Sequence, residues 1–228
     1  MKAERIVHEG SPDLLLLFNG WGMDRRVADW LLSASPEWSE SGSDIVVLYD
    51  YRELTFPSWL VEAIAVARSV DLLAWSLGVW AASNAGLMRV SRAVAINGTL
   101  WPVDACRGIP PDIFTGTLEN WSDENRKRFE RRMFAAIPPD TADSVRSVRE
   151  VSGQREELRS IGEAISRLPA EPPSAWSFSK ALIGGRDQIF SPDNQRLAWL
   201  EAGVPVTGIA GMPHFPFTHI TGWQELFS

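Results

Sequence analysis

The feature that most constrains this chain is a series of short, mainly apolar runs that lack polar and apolar alternation. The runs are Leu14–Phe18, Ile45–Tyr49, Val70–Trp75, Ala93–Ile96, Ala181–Ile183 and Val204–Ile209. A strand with one wet face alternates polar and apolar residues, whereas a strand buried on both faces does not. We therefore predict a mostly parallel sheet that is covered by helices on both faces, which is an α/β fold.

Helical segments are predicted between these runs, at Arg26–Leu32, Trp59–Ser69, Leu77–Met88 and Pro192–Ala202. In the second of them, Leu60, Ile64 and Ala67 recur at spacings of three and four, which predicts one buried helical stripe. Strand followed by helix, repeated along the chain, is the pattern of a doubly wound sheet.

The stretch from about Leu100 to Pro173 departs from this rhythm. It lacks strand-like runs and contains helical, charged sequence such as Asn125–Phe134 and Ser144–Leu168. Ligands of open α/β sheets bind at the carboxyl ends of the strands. We expect residues 100–173 to form a helical lid over that edge, inserted into a single domain that spans residues 1–228.

Composition excludes several classes of function. The formal net charge of −7 argues against a general attraction to nucleic acid, and no apolar run approaches the about 20 residues that span a bilayer. The amino terminus also lacks the layout of a signal peptide, so we expect a cytosolic protein. One cysteine and three histidines leave little from which to build a disulfide framework or a metal site, and we expect neither a metal nor a cofactor.

The sequence Ala-Trp-Ser-Leu-Gly at residues 74–78 lies between a predicted strand and a predicted helix. A serine on such a sharp turn is the nucleophile elbow, usually Gly-x-Ser-x-Gly, which exposes the hydroxyl above the sheet. Ala74 replaces the first glycine with another small residue. The alternative interpretation is that Ser76 is an ordinary helix cap.

Two later loops carry the partners that such a serine requires. Asp187 follows the strand Ala181–Ile183 after two glycines, and His214 follows the last predicted strand. The order Ser76, Asp187, His214 is the one that this class of hydrolase uses. Asp187 could instead be a loop cap, and His219 is the fallback histidine, although packing or capping near the terminal segment suits His219 better.

An oxyanion site is predicted in the first loop of the sheet. The strand Leu14–Phe18 ends in Asn-Gly-Trp-Gly at residues 19–22, where a backbone N–H can point at a ligand. We expect the amides of Trp21 and Leu77 to be the two donors. A tight glycine turn is the alternative, and a dinucleotide site is disfavoured because the Gly-x-Gly-x-x-Gly spacing is missing.

Five segments together resemble the BioG-type pimeloyl-acyl carrier protein methyl ester esterases. They are FNGWGMD at residues 18–24, AWSLGVW at 74–80, AINGTL at 95–100, GIPPDIF at 108–114 and RRMF at 131–134. The resemblance covers most of the chain. It implies an α/β-hydrolase fold and hydrolysis of a methyl ester during biotin synthesis. It also implies Ser76 as nucleophile, Asp187 and His214 as its partners, and the Trp21 and Leu77 amides as oxyanion donors.

A basic segment in the predicted lid suggests how a carrier protein could bind. Residues 126–132 contain five basic residues and one acid, and the basic ones are Arg126, Lys127, Arg128, Arg131 and Arg132. Acyl carrier proteins are acidic, so the resemblance implies a partner of complementary charge, whereas a solvated helix face is the alternative. We expect a monomer with no nucleic-acid or membrane partner.

Two other functions remain open from the residues alone. A generic short-acyl carboxylesterase or thioesterase would use the same Ser76, Asp187 and His214. A binding module on an inactive hydrolase scaffold is the alternative outside the enzymes, and it is disfavoured because all three positions are filled.

Overall fold

The computed structural model describes residues 1–35, 37–38, 42–167, 175–220 and 222–227. Its strands are β1 (Lys2–Val7), β2 (Asp13–Phe18), β3 (Asp44–Tyr49), β4 (Ser69–Trp75), β5 (Arg92–Ile96), β6 (Lys180–Arg186) and β7 (Val206–Pro213). Its helices are α1 (Arg26–Ala34), α2 (Ser58–Val66), α3 (Leu77–Asn84), α4 (Pro111–Glu119), α5 (Asp123–Met133), α6 (Pro139–Val145), α7 (Val151–Arg167), α8 (Pro192–Glu201) and α9 (Trp223–Phe227).

One sheet of seven strands organises the described residues, in the order β1-β3-β2-β4-β5-β6-β7. The β1 strand runs antiparallel to β3, and every other pairing is parallel. This arrangement confirms the mostly parallel sheet flanked by helices. The antiparallel edge strand β1 was not predicted, because its sequence KAERIV carries charges and is only partly buried.

In the central strands, the absence of alternation has the predicted cause. In β2, Leu14, Leu16 and Phe18 pack into one apolar cluster, whereas Leu15 and Leu17 pack into a second cluster on the opposite face. Both faces of the central strands are therefore dry, and each face contributes a core. The prediction was wrong for the run Val204–Ile209, because β7 lies at the edge of the sheet and most of its residues are exposed.

Several predicted boundaries differ from the observed ones. The last strand begins at Val206, after Pro205, and continues to Pro213, so that it ends directly before His214. Helix α3 ends at Asn84 instead of Met88. Leu60 is the buried residue of α2, and Ala67 already lies beyond the end of that helix.

The segment between β5 and β6 is helical, as predicted, but its helices are divided differently. Residues 144–168 were expected to form one helix, whereas α6 ends at Val145 and α7 begins at Val151. Helix α4, which starts with Pro111 in its first turn, had no prediction of its own. The expected helix end at Leu168, the expected lid end at Pro173 and the start of the terminal segment at Thr221 lie outside the described residues.

The parallel register brings the strand ends to one edge of the sheet. Phe18 pairs with Leu48 and with Ala74, and Ile96 pairs with both Trp75 and Leu182. The loops that follow these strands therefore meet at a common edge. Among the described helices, none is both long enough and apolar enough to cross a membrane.

Candidate active site

Ser76 occupies a sharp turn between β4 and α3. Its φ of 59° and ψ of −131° lie in a region that side-chain-bearing residues rarely adopt. A Cβ atom on Gly78 would clash with the carbonyl oxygens of Phe18 and Asn19, and one on Gly98 would clash with the carbonyl of Ser76. The turn thus depends on backbones that approach closely, which is the steric reason for glycine in the elbow pattern.

The structure brings Ser76, His214 and Asp187 together in one chain of hydrogen bonds. The Nε2 atom of His214 lies 3.0 Å from the Ser76 Oγ atom, and its Nδ1 atom lies 2.9 Å from the Asp187 Oδ1 atom. All three residues are buried, with at most 6% of any of them exposed. This is the geometry in which a histidine can take a proton from a serine hydroxyl while a carboxylate orients the ring.

Asp187 is held as a hydrogen-bond acceptor. Its Oδ1 atom accepts from the backbone N–H groups of Ile189 and Phe190, at 2.8 and 3.0 Å. Its Oδ2 atom accepts from the Gln195 Nε2 atom at 3.0 Å. With these donors in place, the carboxylate favours an N–H on the His214 Nδ1 atom and leaves the Nε2 lone pair toward Ser76.

The loop that carries His214 is fixed by residues to which sequence reasoning assigned no role. The backbone carbonyl of His214 accepts hydrogen bonds from the Asn97 Nδ2 atom at 3.0 Å and from the Trp75 Nε1 atom at 2.8 Å. Phe190 stacks on the imidazole, with ring centroids 6.2 Å apart and an interplanar angle of 8°. Asn97 also accepts from the Gly184 N–H at 2.7 Å, so one amide ties β5, β6 and the histidine loop together. The motif Ile-Asn-Gly-Thr was its only sequence signal.

The other two histidines lie elsewhere. The His219 Nδ1 atom is 3.1 Å from the Thr218 hydroxyl. His8 is exposed and pairs with Asp44 at 2.9 Å. Neither forms part of the hydrogen-bonded chain at Ser76.

The predicted oxyanion donors border the same cavity as Ser76. The amide of Leu77 is the first N–H of α3, a position that has no acceptor within the helix. Around Trp21, the neighbouring backbone amides donate to defined acceptors: Asn19 to Leu48, Gly20 to the Asn19 side chain, Gly22 to Glu157 and Met23 to Gly20. In the described part of the chain the Trp21 amide has no such acceptor, which leaves it available to a ligand.

The cavity beside Ser76 is mostly apolar and is closed by the helical segment. Residues of α4, α5 and α7 form one wall, opposite the strand-end loops that carry Ser76 and His214. From that segment and the loop before it come Ile109, Ile113, Phe114, Thr117, Phe129, Arg132, Met133 and Leu158. Gln188 and Ile189 contribute from the Asp187 loop. An apolar acyl chain would fit this lining.

The basic segment divides into two groups. Arg126 is largely buried, pairs with Glu130 at 2.9 Å and donates to the Arg149 carbonyl at 3.0 Å, so its guanidinium serves the internal structure of the segment. Lys127, Arg128, Arg131 and Arg132 are exposed on α5. Of these four, Arg132 borders the cavity itself.

Comparison with known proteins decides the family. Residues 1–226 match the family model described as pimeloyl-ACP methyl esterase BioG. The chain belongs to the BioG family. A crystal structure of BioG from Haemophilus influenzae superposes over the whole of both chains, with a TM-score of 0.83 and 29% sequence identity. This likeness and the observed sheet confirm the α/β-hydrolase fold.

Two further relatives bear names from acyl carrier protein chemistry. A pimeloyl-[acyl-carrier protein] methyl ester esterase of Klebsiella pneumoniae is 28% identical over 202 residues, which are 83% of this chain and 70% of the relative. A malonyl-[acyl-carrier protein] O-methyltransferase of Bacteroides fragilis is 39% identical over 206 residues. The chain spans only 38% of that longer protein, so its methyltransferase activity is not carried over. As a BioG-family member, the chain is a carboxylic ester hydrolase.

Proposed function

We propose that the chain hydrolyses the methyl ester of pimeloyl-acyl carrier protein, with Ser76 as the nucleophile. The observation that carries this proposal is the hydrogen-bonded chain Ser76–His214–Asp187 at an apolar cavity, in a protein of the BioG family. The products are the free carboxylate of the carrier-bound acyl chain and methanol.

In the first half-reaction, the Ser76 Oγ atom attacks the ester carbonyl carbon while His214 Nε2 accepts the hydroxyl proton. The carbonyl oxygen becomes an oxyanion, which the amides of Trp21 and Leu77 stabilise. His214 then gives its proton to the methoxy oxygen, the bond between the carbonyl carbon and that oxygen breaks, and methanol leaves. Asp187 stabilises the imidazolium that forms in between.

In the second half-reaction, water attacks the acyl-enzyme. His214 accepts a proton from the water, and the same two amides stabilise the second tetrahedral oxyanion. The bond between the acyl carbon and the Ser76 oxygen breaks, His214 returns the proton to Ser76, and the carboxylic acid is released. The enzyme returns to its starting state.

The proposed route of the substrate follows the surface of the helical segment. A groove lined by Arg128 and Arg131 joins the cavity at Ile113, Thr117, Phe129, Arg132 and Gln188, which border both. An acyl chain in the cavity would therefore pass its carrier-linked end along a cationic groove. Complementary charge mainly accelerates the encounter and sets its register.

This geometry supports the described part of the predicted lid, residues 100–167 of 100–173, as a lid within one hydrolase domain. The proposed docking set is Lys127, Arg128, Arg131 and Arg132, and it omits Arg126 because that guanidinium is used internally. The proposed setting is the cytosol and the proposed state a monomer, as the sequence led us to expect.

The test compares two substrates with the wild type and with Ser76→Ala. We expect the wild type to release methanol from pimeloyl-acyl carrier protein methyl ester with a higher kcat/KM than from a free short-chain methyl ester. Loss of a serine nucleophile can lower kcat by about 10⁶, so Ser76→Ala should be inactive on both. Equal kcat/KM for the two substrates would instead identify a generic carboxylesterase. Hydrolysis by Ser76→Ala near the wild-type rate would refute the mechanism.

A further inference from the structure

The loop after β2 carries the proposed oxyanion donor. Four consecutive residues of this oxyanion loop, Trp21 to Asp24, are hydrogen-bonded to one short stretch of the helical segment. That stretch comprises residues 147–157, which are the loop before α7 and the first two turns of that helix. The loop that carries the proposed donor is therefore connected to the segment that walls the cavity. Nothing in the nucleophile elbow pattern requires this connection.

The peptide groups of Gly22 are held from both sides by α7. Its N–H donates to the Glu157 Oε2 atom at 3.2 Å, and its carbonyl accepts from the Gln154 Nε2 atom at 2.8 Å. Gly22 has a φ of +75°, and a Cβ atom there would lie 3.2 Å from the same Gln154 nitrogen. The positive φ favours glycine at this position, and a side chain there would also displace the Gln154 amide.

Trp21 itself is fixed by the same helix. Its Nε1 atom donates to the Gln154 carbonyl at 2.8 Å, and its ring packs against Trp121 with centroids 4.5 Å apart. Because the indole and the following peptide are both held, the orientation of the Trp21 backbone is set by contacts with α7. The Trp21 amide is one of the two proposed oxyanion donors.

Buried charge reinforces the connection. Glu157 is fully buried, accepts from the Tyr51 N–H at 2.9 Å and pairs with Arg149 at 2.6 Å. Burial raises the pKa of the Glu157 carboxyl, and the charge of Arg149 opposes that shift. Arg149 also pairs with Asp50 at 3.2 Å, at the end of β3. The attachment therefore extends from the helix into the sheet.

We propose that Gln154 and Glu157 are positioning residues that hold the Trp21 amide in its oxyanion-binding orientation. The inference rests on the proposed serine-hydrolase function, which supplies the oxyanion. It assigns to α7 a part in the chemical step, beyond its part in the cavity wall. Leu158 on the same helix borders the cavity, so substrate contact and donor placement meet on one element.

Gln154→Met is the decisive variant, because it deletes the donor to Gly22 but keeps the length and most of the volume of the side chain. The Gln154 Oε1 atom is buried without a partner among the described residues, so loss of that atom should cost little stability, whereas loss of Nε2 leaves the buried Gly22 carbonyl without its donor. We expect kcat for a small aryl ester to fall about 10-fold, below the about 10²–10³ that follows complete loss of one oxyanion donor. KM should stay near the wild-type value, and Tm should fall by only a few °C, as expected for one unpaired buried carbonyl.

The affinity of a tetrahedral inhibitor distinguishes a positioning role from a merely structural one, because a structural role would leave that affinity unchanged. An alkylboronic acid bound to Ser76 places an oxygen where the oxyanion forms, so its Ki should rise by the factor by which kcat/KM falls. Glu157→Gln is measured in parallel and should show the same pattern with a larger loss. Glu130→Gln is the matched control, since it removes a largely buried carboxylate that pairs with Arg126 and Arg146 in the same segment and that makes no hydrogen bond to residues 21–24 among the described residues.

Unchanged kcat and boronate affinity in both Gln154→Met and Glu157→Gln would overturn the inference. So would an equal loss in Glu130→Gln, since that would make the effect a general consequence of disturbing the segment. Ser76→Ala distinguishes failure of the positioning role from failure of the proposed serine-hydrolase function. If Ser76→Ala is inactive and both α7 variants behave as wild type, the positioning role fails and the proposed function stands. If Ser76→Ala is active, the proposed serine-hydrolase function fails, and the positioning role that rests on it fails as well.

Discussion

The strand-end loops and the helical segment α4–α7 face each other across one cavity, and they are built in different ways. The loops receive their positions from the parallel register, which brings Ser76, Asp187 and His214 to one edge from β4, β6 and β7. The helices of the segment have no such common frame. Their positions depend on individual side-chain contacts with the loops below.

The two regions also use different interactions. Neutral donors, Asn97 and Trp75, hold the carbonyl of His214. Charged groups take part in attaching the segment, with Arg149 paired to Asp50 and Glu157 accepting from the Gly22 and Tyr51 N–H groups, beside the neutral contacts of Gln154. Hydrogen bonds between neutral groups fix a geometry at every pH, whereas ion pairs are sensitive to protonation. The difference suggests that the sheet edge sets the chemistry, and that the segment sets access and the placement of one donor.

The largest expected effect is on the sheet side of this comparison. Asp187→Asn keeps the shape of the side chain but favours the wrong tautomer of His214. The equivalent change in a serine protease lowers kcat by about 10⁴, and we expect a similar loss here. Steady-state hydrolysis of an aryl ester measures it, with circular dichroism as the check on folding. A loss smaller than about 10-fold would indicate that Asp187 does not orient the imidazole.

The sheet edge was the part that could be predicted from sequence. Strands that are dry on both faces leave a local signal, and Ser76 and Asp187 follow such strands directly. His214 follows β7, an edge strand that is mostly exposed, and was found from its apolar sequence and its place in the chain order. Chain order then assigned the residues. The N–H of Trp21 was proposed as an oxyanion donor in the same way, because it lies in the loop after β2.

The contacts of the helical segment could not be predicted, because neither a strand end nor a catalytic motif marks residues 147–157, which make them. In the sequence, Gln154 is one polar residue among many in a charged helix. Only the folded structure shows that its Nε2 atom donates a hydrogen bond to the Gly22 carbonyl. Arg126 illustrates the same limit, since a basic run does not reveal which of its members turns inward. The break between α6 and α7 was also missed. There, residues 147–149 bond to Asp24 and Met23 instead of continuing a helix.

Asn97→Ala tests whether the neutral contacts at the sheet edge position the histidine. The change removes donors to the carbonyls of Pro213 and His214 and the acceptor for the Gly184 N–H. A displacement of about 1 Å in a catalytic group can cost about 10²-fold in rate, and we expect kcat to fall by about 10 to 10².

Asn194→Ala is the control for the Asn97 variant. Asn194 likewise donates to two carbonyls, those of Ala105 and Gly108, but it lies outside the Ser76–His214–Asp187 chain. We expect its kcat to stay within about 2-fold of the wild type, on the scale of surface substitutions away from a site. Equal losses in both variants would mean that Asn97 supports the fold in general and not the histidine loop.

The third prediction addresses access on the helical side. Reversing Arg128 and Arg131 to glutamate should lower kcat/KM for the carrier-bound ester by about 10-fold and leave a small aryl ester unchanged, because rim charges act mainly on association. Added salt should reduce the difference between variant and wild type. The double variant Arg159→Glu, Arg167→Glu is the control of the same charge change, since both of these arginines are exposed on α7. Equal slowing of both substrates would exclude a docking role.

The smallest expected effect concerns Asp50, where the sheet and the helical segment are joined by charge. Burial alone would raise the pKa of this carboxyl, but the hydrogen bond from Arg52 and the charges of Arg149, Arg52 and Lys2 outweigh it, so its pKa is lowered. A group whose pKa is lower in the folded state stabilises that state above its unfolded pKa, and the contribution is lost as the pH falls through the folded value. For an aspartate this loss begins near pH about 4.

Asp50→Asn should therefore be less stable than the wild type at neutral pH, and the difference in Tm should narrow as the pH falls below about 4.5. Thermal unfolding of the two proteins in a pH series measures this directly. A difference in Tm that stays constant down to the acid limit of folding would show that the ion pairs of Asp50 do not attach the segment. The contrast between neutral contacts at the His214 carbonyl and a charged attachment of the segment would then have to rest on the hydrogen bonds that Glu157 accepts from the Gly22 and Tyr51 N–H groups.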